Sequence, residues 1–205
     1  LKRFLNTPPR RVAVPLLLLG LLVTVAACVP DFLVPDSDWV VIQADTHEPT
    51  FKRKTGMLIK PREISALVKF DSSCVYDIRK VNKDDYNKVF GVGFMGTANQ
   101  PMGQAPHHVD GVRIAWRWNP QKDQIDLGAY VYVEGKRITQ ELGGMRINEE
   151  RRLAIKIDYT NKTYTVLNGP PITFTHNKEI AYKNGLYFGG TRPAPQKIRV
   201  MIKYR

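Results

Sequence analysis

The sequence predicts an all-β protein, an antiparallel β-sandwich of jelly-roll type, and three observations carry the prediction. Apolar and polar residues alternate with period two over several runs, turn-forming dipeptides separate the runs at roughly eight to fifteen residues, and no long stretch carries a 3.6-residue apolar stripe. Of 205 residues 43% are hydrophobic and 24% charged, with 15 Gly and 14 Pro, which excludes a disordered or collagen-like chain. Two cysteines cannot staple a small scaffold, so stability must come from burial. The net charge of +12 makes an acidic large partner more natural than a basic one.

Residues 1–27 have the form of an address rather than of a fold. Lys2, Arg3, Arg10 and Arg11 precede an uncharged apolar run from Val12 to Ala27. That run is shorter than the roughly 20 residues a membrane-crossing helix needs, which fits a secretory leader. The leader ends in Val25-Ala26-Ala27-Cys28, which resembles the lipobox of bacterial lipoproteins. The resemblance implies a lipid on Cys28, membrane attachment through it and a place in the cell envelope. The same small residues also satisfy ordinary signal-peptidase cleavage, with Cys28 then the first residue of a secreted chain. Residues 28–38, with two prolines and three aspartates, read as a tether. Residues 39–205 are long enough for one sizeable core and too short for two domains.

Alternation is clearest in Val112 to Trp118, where Val112, Ile114, Trp116 and Trp118 share one face and Arg113 and Arg117 the other. It recurs in Leu153 to Tyr159 and Ile198 to Tyr204. Turn signals stand at Asn119-Pro120, Glu134-Gly135, Asn161-Lys162, Asn168-Gly169, Asn184-Gly185 and Gly189-Gly190. The best helical candidate, Asn82 to Val89, is one or two turns long. About a dozen strands without crossover helices exclude βαβ architecture and favour a jelly roll over a seven-stranded immunoglobulin-like domain.

Tyr187-Phe188-Gly189-Gly190, followed by Pro193-Ala194-Pro195 and a last alternating strand, resembles the closing hairpin of concanavalin A-like sandwich domains. Trp116-Arg117-Trp118 and Ala129 to Val133 resemble their inner strands. Paired His, Trp-Arg and Tyr-Phe-Gly-Gly together are similar to a set of uncharacterised bacterial envelope proteins. The resemblance implies a fold that hosts lectins, glycoside hydrolases and polysaccharide lyases, and fold alone assigns no activity.

Several patterns suggest chemistry. Gly91, Gly93 and Gly96 match dinucleotide-binding spacing, but the residues after Thr97 are hostile to the helix that would meet a pyrophosphate, so they read as a strand with small residues at a bulge. His107, His108 and Asp110 are metal-capable, yet neighbours on an extended segment point to opposite sides, so no metal and no cofactor is expected. Arg113 and Arg117, about 13 Å apart on one face, with Tyr130 and Tyr132 on the next strand and His108 nearby, suit an anionic or neutral polysaccharide. Tyrosine rings stack on sugar faces and guanidinium groups grip carboxylates. The same pattern also describes a solvated face with Arg stems covering apolar neighbours.

Paired carboxylates for glycoside hydrolysis are missing, because Asp123, Asp126, Glu149 and Glu150 read as turn residues. A β-eliminating lyase needs a carboxylate neutraliser, a base and an acid, roles open to Arg117, His108 and Tyr187. The Arg-x-Glu-x-Arg and Gln-Ile-His signatures of jelly-roll alginate lyases are absent. Cys74 reads as a buried small hydrophobe. Export and scattered positive charge argue against nucleic acid as a partner. The expectation is an exported carbohydrate- or envelope-polymer-binding module, with a uronate-directed lyase and a structural envelope lipoprotein as alternatives.

Overall fold

The computed structural model describes residues 38–50, 56–82, 85–96 and 105–204. The leader, Cys28 and the tether up to residue 37 lie outside the described residues, as does Lys52-Arg53-Lys54. Twelve strands form two six-stranded antiparallel sheets. The first sheet runs β1-β12-β3-β8-β9-β10, with β1 Trp39–Ile42, β12 Ile198–Tyr204, β3 Glu63–Phe70, β8 Glu150–Asp158, β9 Thr163–Val166 and β10 Ile172–Thr173. The second runs β2-β11-β4-β5-β6-β7, with β2 Met57–Ile59, β11 Ile180–Asn184, β4 Asn87–Phe94, β5 Gly111–Asn119, β6 Gln124–Val133 and β7 Lys136–Met145.

Alternation places the core. Val112, Ile114 and Trp116 of β5 lie opposite Val131, Ala129 and Leu127 of β6, all turned inward. Ile155 and Ile157 of β8 and Val200 and Ile202 of β12 face them from the other sheet. Trp116 packs on Phe70 with ring centroids 5.1 Å apart and meets Tyr76 and Phe188 edge-on. Burying aromatic side chains of this size contributes about 2–3 kcal/mol each. Predicted turns between β5 and β6, β6 and β7, and β8 and β9 close hairpins: Glu134 and Gly135 both take positive φ, the geometry of a two-residue type I′ connection between β6 and β7.

Three expectations need correction. The Asn82 to Val89 stretch is no helix in its described residues; Asp85 and Tyr86 are irregular and β4 begins at Asn87. Tyr187 to Pro195 closes no hairpin, because β11 and β12 belong to different sheets and the segment carries the chain from one to the other. Asp126 is no turn residue but a buried position in β6, where it accepts hydrogen bonds from Asn119 Nδ2 (2.7 Å) and Gln124 Nε2 (3.0 Å).

At one end of the sandwich Phe94, Tyr164, Phe174 and His176 stack together, Phe174 and His176 with centroids 4.5 Å apart. The backbone N–H of Lys178 donates to His176 Nδ1 (3.1 Å), which leaves the ring proton on Nε2, 2.6 Å from the Tyr164 hydroxyl. Burial holds this imidazole down to about 4.

The unfolded chain therefore binds a proton at His176 that the folded chain does not, and stability is lost as pH falls from about 6.5 towards 4. Denaturant unfolding at pH 7, 6 and 5 is expected to show this loss together with that from the other depressed histidines, and His176→Gln to make it smaller. Gly91 allows the close approach of β4 and β5, since a Cβ there would stand 2.1 Å from the Val112 carbonyl oxygen. Gly91→Ala is expected to cost about 1–3 kcal/mol. The same change at Gly56, which faces open space, is expected to stay within about 0.5 kcal/mol.

Candidate functional site

The face of the second sheet turned away from the core carries the residues singled out in the sequence. Register sets them in rows. Tyr182 of β11 pairs with Gly93 of β4, Gly93 with Gly111 of β5, and Gly111 with Tyr132 of β6. In the next row Asn184 pairs with Gly91, Gly91 with Arg113, and Arg113 with Tyr130. Two glycines opposite each other leave a depression, and the Pro106–His108 3-10 turn fills it. A Cβ at Gly93 would stand 2.6 Å from His107 Cβ, and one at Gly91 2.6 Å from Arg113 Cγ. The glycines of the nucleotide-like spacing thus make room for a histidine and an arginine.

Pro106 starts that turn with its φ already helical, and the backbone N–H groups of Val109 and Asp110 both donate to the Pro106 carbonyl at 3.0 Å. An extended segment would send the two imidazoles to opposite sides; the tighter winding instead brings their centroids within 4.3 Å. Asp110 anchors the base of the turn. Its carboxylate accepts from Lys178 Nζ at 2.8 Å and from the Glu134 backbone N–H at 3.0 Å, and both charged side chains are buried. The His107 backbone N–H donates to the Tyr182 hydroxyl (3.3 Å), which lies 2.5 Å from His107 Nδ1. With the hydroxyl donating to Nδ1, the ring proton of His107 sits on Nε2.

Tyr130 is the centre of the charge. Lys88 Nζ lies 4.2 Å from its ring centroid, Arg113 Cζ 5.2 Å and Arg137 Cζ 5.9 Å. Lys88 and Arg113 are each only 6% exposed. Lys88 donates to the Tyr86 carbonyl (2.7 Å) and stands 5.9 Å from the Tyr187 ring. Among the described residues no carboxylate forms an ion pair with either cation.

Burial, with Arg113 and His108 adding like charge, pushes His107 down to about 3; burial, Arg113 and Lys88 lower His108 too. Both imidazoles are neutral at pH 7. Burial lowers Lys88 to about 8, against the favourable field of Tyr130. Burial alone would raise the Tyr130 phenol, but Lys88, Tyr132 and Arg137 outweigh it and the net direction is down.

A cleft of about 700 Å³ opens over these groups, lined by Lys88, His107, His108, Arg113, Tyr130, Tyr182 and Tyr187 among others. Of the residues expected from sequence, Arg113, Tyr130, His108 and Tyr187 meet here, and Tyr132 stands beside them, 5.7 Å from Tyr130 and 5.4 Å from His108. The structure separates Arg117 from them. It lies on Tyr86 at 4.6 Å, with Asp126 and Glu141 each 3.7 Å away, inside a cluster that already balances its charge. Lys88 and Tyr182 escaped the sequence reading. A lone lysine at the head of the uncharged, largely apolar run Val89 to Phe94 is the signal that could have found the first. Cys74 is fully buried and its thiol is pushed far up by that burial.

No protein-family model matches the chain, and no curated protein sequence matches it. Among solved structures, the chain is similar to the alginate lyase AlyC3 in complex with dimannuronate, at 15% identity and a TM-score of 0.52, over 82% of this chain and 73% of that one. It is also similar to an alginate lyase from Alteromonas sp. 272, at 14% identity and a TM-score of 0.46, over 86% and 90% of the two chains. The carbohydrate-binding module CBM66 from Bacillus subtilis matches at 6% identity and a TM-score of 0.31, over 82% and 92%. At such identities the likeness speaks for architecture alone: the chain is a concanavalin-like antiparallel β-sandwich.

Proposed function

We propose that the cleft over Tyr130 binds an anionic polysaccharide, a glycan bearing uronate carboxylates. One observation carries the reading: Arg113 is a buried guanidinium without a carboxylate partner among the described residues. Burying such a charge unpaired is costly, and an incoming carboxylate removes the cost with a bidentate, charge-assisted pair. Tyr130, Tyr132 and Tyr187 offer apolar faces for the sugar rings beside it, and the neutral imidazoles supply hydrogen bonds without adding charge. The dimannuronate held by AlyC3, on the same architecture, supports a uronate as the first ligand to try. The leader adds a location: Cys28, carrying lipid, would hold the domain at a membrane of the cell envelope, where such polymers occur and nucleic acid does not.

A second reading follows from the neutrality of His108. An unprotonated imidazole at the cleft mouth, with Arg113 to neutralise a uronate carboxylate and Tyr187 nearby, is the set a β-eliminating lyase uses. His108 would take the C5 proton, the C5 electron pair would form the C4=C5 double bond, and the C4–O bond would break as Tyr187 protonates the departing oxygen. Arg113 replaces Arg117 in that scheme, because Arg117 is held by Asp126 and Glu141.

Calorimetric titration with a uronate tetramer is expected to show binding that Arg113→Ala weakens at least tenfold, the loss of one charge-assisted pair of about 1.5–3 kcal/mol. Arg117→Ala is expected to change affinity less than threefold, and a neutral tetramer of equal length to ignore both substitutions. Equal binding by Arg113→Ala and the unaltered protein would remove the site. Ultraviolet absorbance of unsaturated product, appearing with time and lost in His108→Ala, would move the lyase reading to the front; its absence leaves a binding module.

A further inference from the structure

We infer that Lys88 is the second cation of the anion site, and that a carboxylate seated between Lys88 and Arg113 draws a proton from solvent onto the lysine as it binds. The inference rests on the reading of the cleft as a receptor for an anionic glycan. Lys88 pairs with Ala115 and Gly91 with Arg113, with a β-bulge in β4 between the two pairs. Lys88 Nζ and Arg113 Cζ lie 4.2 Å and 5.2 Å from the centroid of one Tyr130 ring, close enough for a single carboxylate to be reached by both an ammonium and a guanidinium. Both lie against the same Tyr130 ring, and both are 6% exposed.

The surroundings of Lys88 decide how it responds. Arg113 faces it from β5, Tyr130 from β6, Tyr187 from the segment after β11, and His107 and His108 from the 3-10 turn; Arg137 of β7 lies on the same Tyr130 ring, and Glu48 lines the same cleft. Asp85, just before β4, is the acid whose field reaches it, and the two form no ion pair. With like charge close by and little water, one of the two cations yields its proton first. Arginine cannot do so in a protein, so lysine does. This agrees with the lowering of Lys88 to about 8 by burial. Gly189 leaves the ammonium its place, since a Cβ there would stand 2.8 Å from Nζ. A bound carboxylate reverses the balance, giving the lysine an opposite charge at contact distance and raising its proton affinity.

The test is calorimetric titration of the full chain, held in mild detergent, with a uronate tetramer in buffers of contrasting ionisation enthalpy. At pH 8.5 the expected result is uptake of roughly 0.7 proton per tetramer bound, falling towards zero at pH 6.5. Affinity should weaken up to tenfold per pH unit above pH 8. Lys88→Arg, which keeps a charge that does not titrate, should bind without proton uptake and with affinity level from pH 7 to 9. Binding by the unaltered protein without proton uptake at pH 8.5, or uptake that survives in Lys88→Arg, overturns the inference and leaves the glycan-binding reading intact. Failure of the tetramer to bind even at pH 6.5 overturns both.

Discussion

A guanidinium leaves water only where something offsets its lost hydration, and around Arg113 the described residues supply an aromatic ring and no carboxylate ion pair. The face of the second sheet is arranged about that fact. Gly91 gives the arginine stem a bed on the neighbouring strand, and Gly93 and Gly111 let the Pro106–His108 turn pack against the sheet beside it. Asp110, the acid at the base of the turn, is paired with Lys178. Tyr130 then gathers three cations around one ring, and the cleft stays positive while its histidines stay neutral.

Arg113 and Arg117 show how little of such a site sequence spacing determines. They lie four residues apart on one strand and share a face, and each stands between two apolar neighbours, Val112 and Ile114 or Trp116 and Trp118. Their fates diverge through cross-strand register, which sets Tyr130 opposite Arg113 and Asp126 opposite Arg117. The third strand adds Glu141 to the Arg117 end. Pairing across β5, β6 and β7 therefore decides which arginine meets carboxylates and which, among the described residues, does not.

β8 and β12 were legible because a partly exposed side against a core side writes period two directly into the residues, and β5 because Arg113 and Arg117 keep the alternation although its outer face is largely covered. β4 was not, since every position from Asn87 to Phe94 is buried: the core covers one face, and Arg113, His107 and Tyr130 cover the other. Its glycines match nucleotide-binding spacing but read as a bulged strand, which is the form they take, while its lysine went unremarked. The aromatic and basic character of the site could be read from Arg113, Tyr130, Tyr132, His108 and Tyr187. Its centre could not, because the contact of Lys88 with Tyr130 joins strands some forty residues apart, and because Pro106 winds the histidines into a turn where an extended segment was expected.

The most direct test of the central claim, that a ligand carboxylate completes the charge balance of Arg113, is a crystal structure of the protein with a uronate tetramer. The account predicts a sugar carboxylate in bidentate contact with the Arg113 guanidinium, between it and Lys88, with pyranose rings against the tyrosines. A tetramer bound elsewhere, or Arg113 paired with a carboxylate of the protein itself, would contradict it.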